Sequence, residues 1–282
     1  MENIIGIDLG ATQMRAARIE ENEIVFLSTE KTPTNDSYDQ VLNKLIELIT
    51  SVFSIKTVAI GIGVPSVVDV EHGIIYDVIN IPSWKEVPLK SILEGHFSVP
   101  VFINNDANCF ALGEKHFGIG KSYKHIAGVT LGSGVGTGLI LNAKLYAGKN
   151  AGAGEFGMIP YKDKYFEYYC SGQFFSFYKK LDGLDIYNKA KSGDPKAIAL
   201  YQEFGFHLGQ FLKVLILAID PEVIILGGSL SEAYSFFEKD MKSTFHDFPY
   251  PTTIKNLEIK VSTLPNIAVL GAAALILNEN ER

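Results

Sequence analysis

The sequence predicts an α/β fold built from two similar halves, and three observations carry that expectation. Short apolar segments that stop at glycine or proline alternate with longer segments of helical periodicity. The unit Gly6-Ile7-Asp8-Leu9-Gly10-Ala11-Thr12 recurs as Gly128-Val129-Thr130-Leu131-Gly132-Ser133-Gly134, each copy a strand, a tight glycine turn and a second strand. Glycine turns between apolar strands are common, so the repeat gains its weight from position: each copy opens an α/β half. Two similar lobes facing each other would leave a cleft between them, a natural ligand site.

The elements follow in order. Ile4 to Leu9 is a short apolar run stopped by Gly10, which reads as a buried strand. Met14 to Ile19 and Ile24 to Ser28 read as two further strands joined by a polar turn at Glu20 to Asn22. From Tyr38 to Phe53, apolar residues at Val41, Leu42, Leu45, Ile46, Leu48, Ile49 and Val52 keep helical spacing. Thr57 to Val64 is a strand ended by Pro65, Val99 to Ile103 another, and Ala107 to Phe117 a helix opened by Asn105 and Asp106. The second series has strands at Ile126 to Leu131 and Val135 to Leu141, a long helix from Pro195 to Ala218, and a strand from Val223 to Leu226 cut off by Gly227 and Gly228. A last helix spans about Ile267 to Leu277. The expected boundary lies near Gly118 to Lys121, giving an N-terminal lobe over 1–117 and a C-terminal lobe over 118–266, with the terminal helix of 267–282 packing back on the first.

Composition narrows the function classes. With 282 residues, 47% of them hydrophobic, the chain can bury a sizeable core. A formal charge of −7 and the lack of a basic run argue against a nucleic-acid surface, because phosphate contacts need clustered Lys and Arg. Two cysteines, Cys109 and Cys170, are too few for a disulfide framework or a cysteine zinc site. The start, MENIIGIDLG, has no signal-peptide pattern, and apolar runs such as Val214 to Ile219 are too short to span a bilayer. A cytoplasmic protein without membrane or nucleic-acid partners is expected.

Five motifs could carry chemistry. In Asp8-Leu9-Gly10-Ala11-Thr12, a turn with few side chains lets backbone N–H groups and a hydroxyl approach phosphate oxygens, and Asp8 could hold Mg²⁺ through water; an ordinary hairpin turn is the alternative. Leu131-Gly132-Ser133-Gly134-Val135-Gly136-Thr137-Gly138 could wrap an anion. It lacks the Gly-Lys-Ser/Thr end of a Walker A loop, and a strand follows where a Rossmann fingerprint needs a helix; a plain glycine-rich hairpin stays open. In Asn104-Asn105-Asp106-Ala107-Asn108, Asp106 is placed to orient a hydroxyl and take its proton, the task a carboxylate performs in phosphoryl transfer to an alcohol, or merely to cap a helix. Glu155, in Gly154-Glu155-Phe156-Gly157, could accept sugar hydroxyls with both oxygens or be a turn residue. Gly227-Gly228 could let a base or ribose lie against the backbone, or only end the strand. The aromatic run Tyr165 to Tyr178 reads equally as a sugar-stacking face, a dimer face or core. The six histidines show no ligand spacing.

Taken together, these motifs resemble the ROK family of sugar kinases and repressors within the actin/hexokinase-like ATPase superfamily. The resemblance runs from Ile4 to about Leu277 and includes Gly61-Ile62-Gly63-Val64-Pro65 and Asn80-Ile81-Pro82-Ser83-Trp84. It implies two ribonuclease-H-like lobes around a central cleft holding ATP and sugar, with Mg²⁺. Asp106 would be the catalytic base; Asn80, Asn105, Asp106, Glu155 and Glu167 would line the sugar site. Asp8, Gly10, Ala11 and Thr12, with Gly132, Ser133, Gly134 and Gly136, would hold the phosphates, and Gly227 and Gly228 would face the adenosine. It implies a hexose kinase, glucose at the 6-hydroxyl first, acting as a homodimer; a kinase for an N-acetylated or other hexose and a non-catalytic regulator are the alternatives. Repressors of the family carry an N-terminal helix-turn-helix domain, for which this sequence leaves no room ahead of the first strand.

Two departures bear on the site. ROK kinases usually have a zinc- and sugar-binding His where this chain has Met158, followed by a cysteine-rich zinc loop ending Cys-Leu-Glu. Here the segment from Ile159 to Lys164 is short and has no cysteine, while Glu167 keeps the place of the final glutamate. Cys170 alone builds no tetrahedral site, so no zinc is expected, and the aromatics Tyr165, Phe166, Tyr168 and Tyr169 are expected to order the loop instead.

Overall fold

The computed structural model describes residues 2–10, 12–78 and 80–280. The chain forms two compact units, one comprising Met1–Lys124, Gly138–Ala153 and Thr263–Arg282, the other His125–Thr137 and Gly154–Ser262.

The first unit starts with strands β1 (Asn3–Leu9), β2 (Gln13–Glu20) and β3 (Glu23–Lys31), continues through helix α1 (Tyr38–Val52) to β4 (Thr57–Val64), and reaches β5 (Val101–Asn105) and helix α2 (Asp106–His116). Their order in the sheet is β3-β2-β1-β4-β5. β1 to β3 are antiparallel neighbours, whereas β4 runs parallel to β1 and β5 parallel to β4. Ser37 caps α1 in a reciprocal box with Gln40, and α1 buries Val41, Leu45, Leu48 and Ile49 with Ile5, Ile7 and Trp84 in one core. The second sheet takes strands β6 (Ile126–Leu131), β7 (Val135–Leu141), β8 (Lys144–Leu145), β9 (Val223–Gly227) and β10 (Glu258–Val261) in the order β8-β7-β6-β9-β10. The positions match those of the first sheet one for one. β9 is parallel to both β6 and β10. This is the duplicated ribonuclease-H-like topology.

Helix α3 (Pro195–Ile219) belongs to the second unit. Asp194 caps it, Pro195 fills its first turn, and it ends at Asp220 in left-handed conformation. Phe174, Phe204, Phe211 and Phe237 are among the largest fully buried side chains of that unit. The terminal helix α4 (Ile267–Asn280) lies in the first unit, against α2, β1 and β4. It sits so close that a Cβ on Gly61 would meet the Ala272 carbonyl oxygen at 1.9 Å, and one on Gly271 the Cys109 carbonyl at 1.7 Å. Glycine at both places lets backbone meet backbone.

Among the elements, the differences from expectation are local. β5 begins at Val101, because Pro100 has no N–H to donate and serves through its carbonyl, which accepts from Ile60 N at 2.9 Å. The strand therefore runs through Asn105, and α2 begins at the next residue. Helices at Leu89–Phe97 and Gly183–Lys191 and strand β10 were not foreseen.

Candidate active site

In the first unit, the candidate residues gather where the parallel strands end. Register places Asp8 beside Gly63, and Gly63 beside Asn104, so the carboxyl ends of β1, β4 and β5 line up. Ligands of α/β sheets bind outside such ends. Asn105 is the N-cap of α2, its Oδ1 accepting from Ala107 N at 2.9 Å. Asp106 is the first helical residue; its Oδ1 also accepts from Ala107 N, at 2.8 Å. Asn104 Oδ1 accepts from Asn105 N and from Asn108 Nδ2, both at 2.9 Å, which fixes the turn. Asn105 Nδ2 reaches the Ser66 carbonyl at 3.4 Å.

Gly63 makes room for this arrangement: a Cβ there would stand 3.1 Å from Cys109 Sγ and 3.5 Å from Asp106 Cα. Cys109 lies within electrostatic reach of Asp106 and Asp8. Burial first, then the charges of Asp106 and Asp8, push its thiol well above the ordinary range, so it stays protonated. Burial also raises the Asp8 carboxyl, with the Arg15 guanidinium opposing. Gly10 closes the β1–β2 turn by donating its N–H to the Gln13 carbonyl at 3.0 Å, and Thr12 is exposed beside it; Ala11 lies outside the described residues. Asn80 is half-buried in a turn before Ile81.

In the second unit the glycine-rich loop joins β6 to β7. Gly132 N donates to Gly134 O at 3.0 Å, closing the turn; Ser133 is exposed, and nothing would obstruct a side chain at Gly132. Gly134 differs: a Cβ there would come within 2.5 Å of Glu167 Oε2. Gly136 sits in β7, half-buried. Gly228 has φ +83° and would press a Cβ to 2.4 Å from the Leu131 carbonyl, so the turn after Gly227 requires glycine and runs against β6.

Glu155 is solvent-exposed, presented by Gly154, whose φ of +103° and approach to the Thr137 carbonyl exclude any side chain. Partial desolvation and then the charge of Glu167 raise the Glu155 carboxyl, which places the two acids within electrostatic reach. Glu167 is engaged at both oxygens: Oε2 accepts from Val135 N at 3.1 Å and Oε1 from Gln173 Nε2 at 2.8 Å. Each oxygen keeps a second lone pair for a hydroxyl. Ser171, Gly172 and Gln173, which sequence reasoning passed over, tie this acid to the loop.

The segment in place of a zinc loop is a hairpin, Pro160–Tyr161 pairing with Lys164–Tyr165. Tyr161 stacks on Phe166 at 4.4 Å, Phe166 meets Phe211 edge-on at 5.6 Å, and Tyr169 lies 5.0 Å from the His207 ring. Phe166 and Tyr169 are buried, as expected of packing aromatics, whereas Tyr165 and Tyr168 are only partly so. His207, from α3, is buried; its Nδ1 lies 3.0 Å from Tyr161 Oη. Burial first, then the Lys162 charge, depress its pKa to about 4, so it is neutral at pH 7.

The donor chemistry separates two metals. Among the described residues no group of three or more His, Cys, Asp or Glu is arranged to hold a metal ion. Met158 is exposed, and the Cys170 thiol is buried and pushed well above its ordinary range, the reverse of a ready zinc thiolate. These residues do not fit zinc. Asp8 is a half-buried carboxylate at a strand end, a hard oxygen donor of the kind that Mg²⁺ takes one or two of while keeping most of its waters. No helix among the described residues is long and apolar enough to cross a membrane.

Two sheets of the same 3-2-1-4-5 order, each opening on a glycine turn, define an actin-like ATPase fold. The ROK family profile matches residues 4–279, and the chain belongs to that family. It is 28% identical to a glucokinase of Thermotoga maritima, over 97% of this chain and 96% of the relative. It is 27% identical to the xylose repressor of Bacillus subtilis, over 97% of this chain and 77% of the repressor. A ROK family glucokinase from Streptomyces griseus, solved with glucose and AMPPNP, superposes with a TM-score of 0.84 at 25% identity, covering 97% of this chain and 98% of that one.

Proposed function

We propose that this protein is an ATP-dependent sugar kinase acting on a hexose, with glucose at its 6-hydroxyl as first substrate. The observation that carries this reading is the Asn104-Asn105-Asp106 turn: at the carboxyl ends of three parallel strands, Asn105 supplies the helix cap and Asp106 begins the helix. An acid at the first helical position also suits the helix dipole; what supports a catalytic task is that Asp106 stands where the strands β1, β4 and β5 end.

In this reading Asp106 orients the acceptor hydroxyl and takes its proton as the oxygen attacks the γ-phosphorus and ADP departs. Asn80, Asn105, Glu155 and Glu167 bind the remaining hydroxyls; the exposure of Glu155 and the spare lone pairs of Glu167 support this. The turns at Gly10 to Thr12 and Gly132 to Gly136 would hold the phosphates, their exposed Thr12 and Ser133 being the groups they present, and Gly227 and Gly228 leave a side-chain-free surface for the adenosine. Asp8 would hold Mg²⁺ through water, and the ion would neutralise charge on the β- and γ-phosphates. Zinc has no part. A homodimer in the cytoplasm completes the proposal. The repressor relative supports a second reading, a sugar-responsive regulator. A panel of glucose, mannose, fructose and N-acetylated hexoses at fixed ATP, followed by ADP release, tests both: a kinase releases ADP with at least one sugar, a regulator with none.

A further inference from the structure

The segment after Glu167 is laced onto the glycine-rich loop. Gly172 N donates to Gly132 O at 2.7 Å. Ser171 Oγ lies 3.2 Å from Ser133 O and 2.7 Å from Glu167 O. Glu167 Oε2 accepts from Val135 N at 3.1 Å, in the space that Gly134 leaves by having no side chain. Three successive residues of the loop, 132, 133 and 134, are thus met from one short strap, and the next, Val135, is held by its acid. The acid needs holding. A carboxylate beside a loop that must accept phosphate repels the ligand unless its charge is engaged, and a free glutamate side chain has three torsions through which to leave. Gln173 Nε2 supplies the restraint: it donates to Glu167 Oε1 at 2.8 Å, and its own backbone N–H donates to Ser171 Oγ at 3.2 Å, which fixes it to the same strap.

We propose that Gln173 is a positioning residue: through Glu167 it holds the Val135 end of the nucleotide loop, so that one acid serves the sugar site and the phosphate loop together. This rests on the kinase reading for its kinetic consequence and on the hydrogen bonds alone for its structural one. Gln173 touches neither substrate; it acts through Glu167. Removing its donor frees the carboxylate to rotate, releases Val135 N–H and lets the loop relax.

The test uses the full chain with Gln173→Met, which keeps length and bulk but has no N–H, and Gln173→Lys, which restores a donor. Hydrogen exchange at the Val135 amide reports the bridge without reference to activity. It is expected to quicken about tenfold in Gln173→Met, the size of a lost hydrogen bond to a charged group, and to return to within about twofold of wild type in Gln173→Lys. The KM for ATP is expected to rise by the same factor in Gln173→Met and to recover with Lys. Unchanged Val135 exchange in Gln173→Met overturns the proposal. So does equal behaviour of the Met and Lys variants, which would mean that Gln173 only fills space. Should Gln173→Met fail to fold, Gln173→Asn, one methylene too short to reach Glu167, gives the same readouts. If wild type releases no ADP with any sugar, the kinase reading fails, and Val135 exchange still decides the bridge.

Discussion

The Oδ1 of Asn105 accepts the Ala107 N–H at 2.9 Å, so the helix that starts at Asp106 has its cap one residue earlier. The two neighbours can therefore be separated by mutation. Asp106→Asn keeps shape and leaves the Asn105 cap in place but removes the proton acceptor. Turnover is expected to fall about 10²-fold or more, with glucose and ATP binding retained and the melting temperature close to wild type. Steady-state kinetics beside calorimetric binding check this; near-normal turnover would leave Asp106 a structural residue.

Gly134→Val is expected to fold and to lose at least about tenfold in ATP affinity. The sequence alone suggests that a side chain there would block phosphate. The structure adds a second cause, since the new Cβ would meet Glu167 Oε2 at 2.5 Å and displace the acid that holds Val135 N. Nucleotide titration checks it, and unchanged affinity would move the nucleotide elsewhere.

Stability is expected to fall as pH drops from 6.5 towards 4, in part through His207. Its pKa is depressed to about 4 when folded against an ordinary 6.5, so in that window the unfolded chain binds the extra proton. The contribution is complete above pH 6.5 and is lost as pH falls, at a slope of up to about 1.4 kcal/mol per pH unit. His207→Phe should flatten this part of the profile measured by denaturant unfolding. An unchanged profile would show that the histidine is already charged in the folded state.

Chelation is expected to leave activity intact once Mg²⁺ is restored, and elemental analysis to find no stoichiometric zinc, because Met158 and buried Cys170 offer no ligand set. One zinc per chain, with activity lost on its removal, would contradict this.

Much of the fold was legible because glycine and proline punctuate it. β4 stops before Pro65 and β6 before Gly132, and both spans match their expected limits. β10 was not legible: its Glu258 and Lys260 face outward on a sheet edge, and four residues are too few for alternation to stand out. The helix at Tyr234–Ser243 starts only after a 3₁₀ turn at Ser229–Ala233. Within the site, Asp106 and the glycine loop could be singled out because they pair a residue type with a strand end. Ser171, Gly172 and Gln173 could not, since bonds from a side chain to a distant backbone leave no periodicity. His207 stood alone on a helix with no ligand spacing, and only packing shows that it closes the aromatic cluster over the shortened loop.

A kinase must couple sugar to ATP cleavage. A coupled assay of ADP release with and without glucose tests it most directly. ADP formation that depends on sugar is expected, with one hexose 6-phosphate formed per ADP. Sugar binding without ADP release, or ADP release indifferent to sugar, would contradict it.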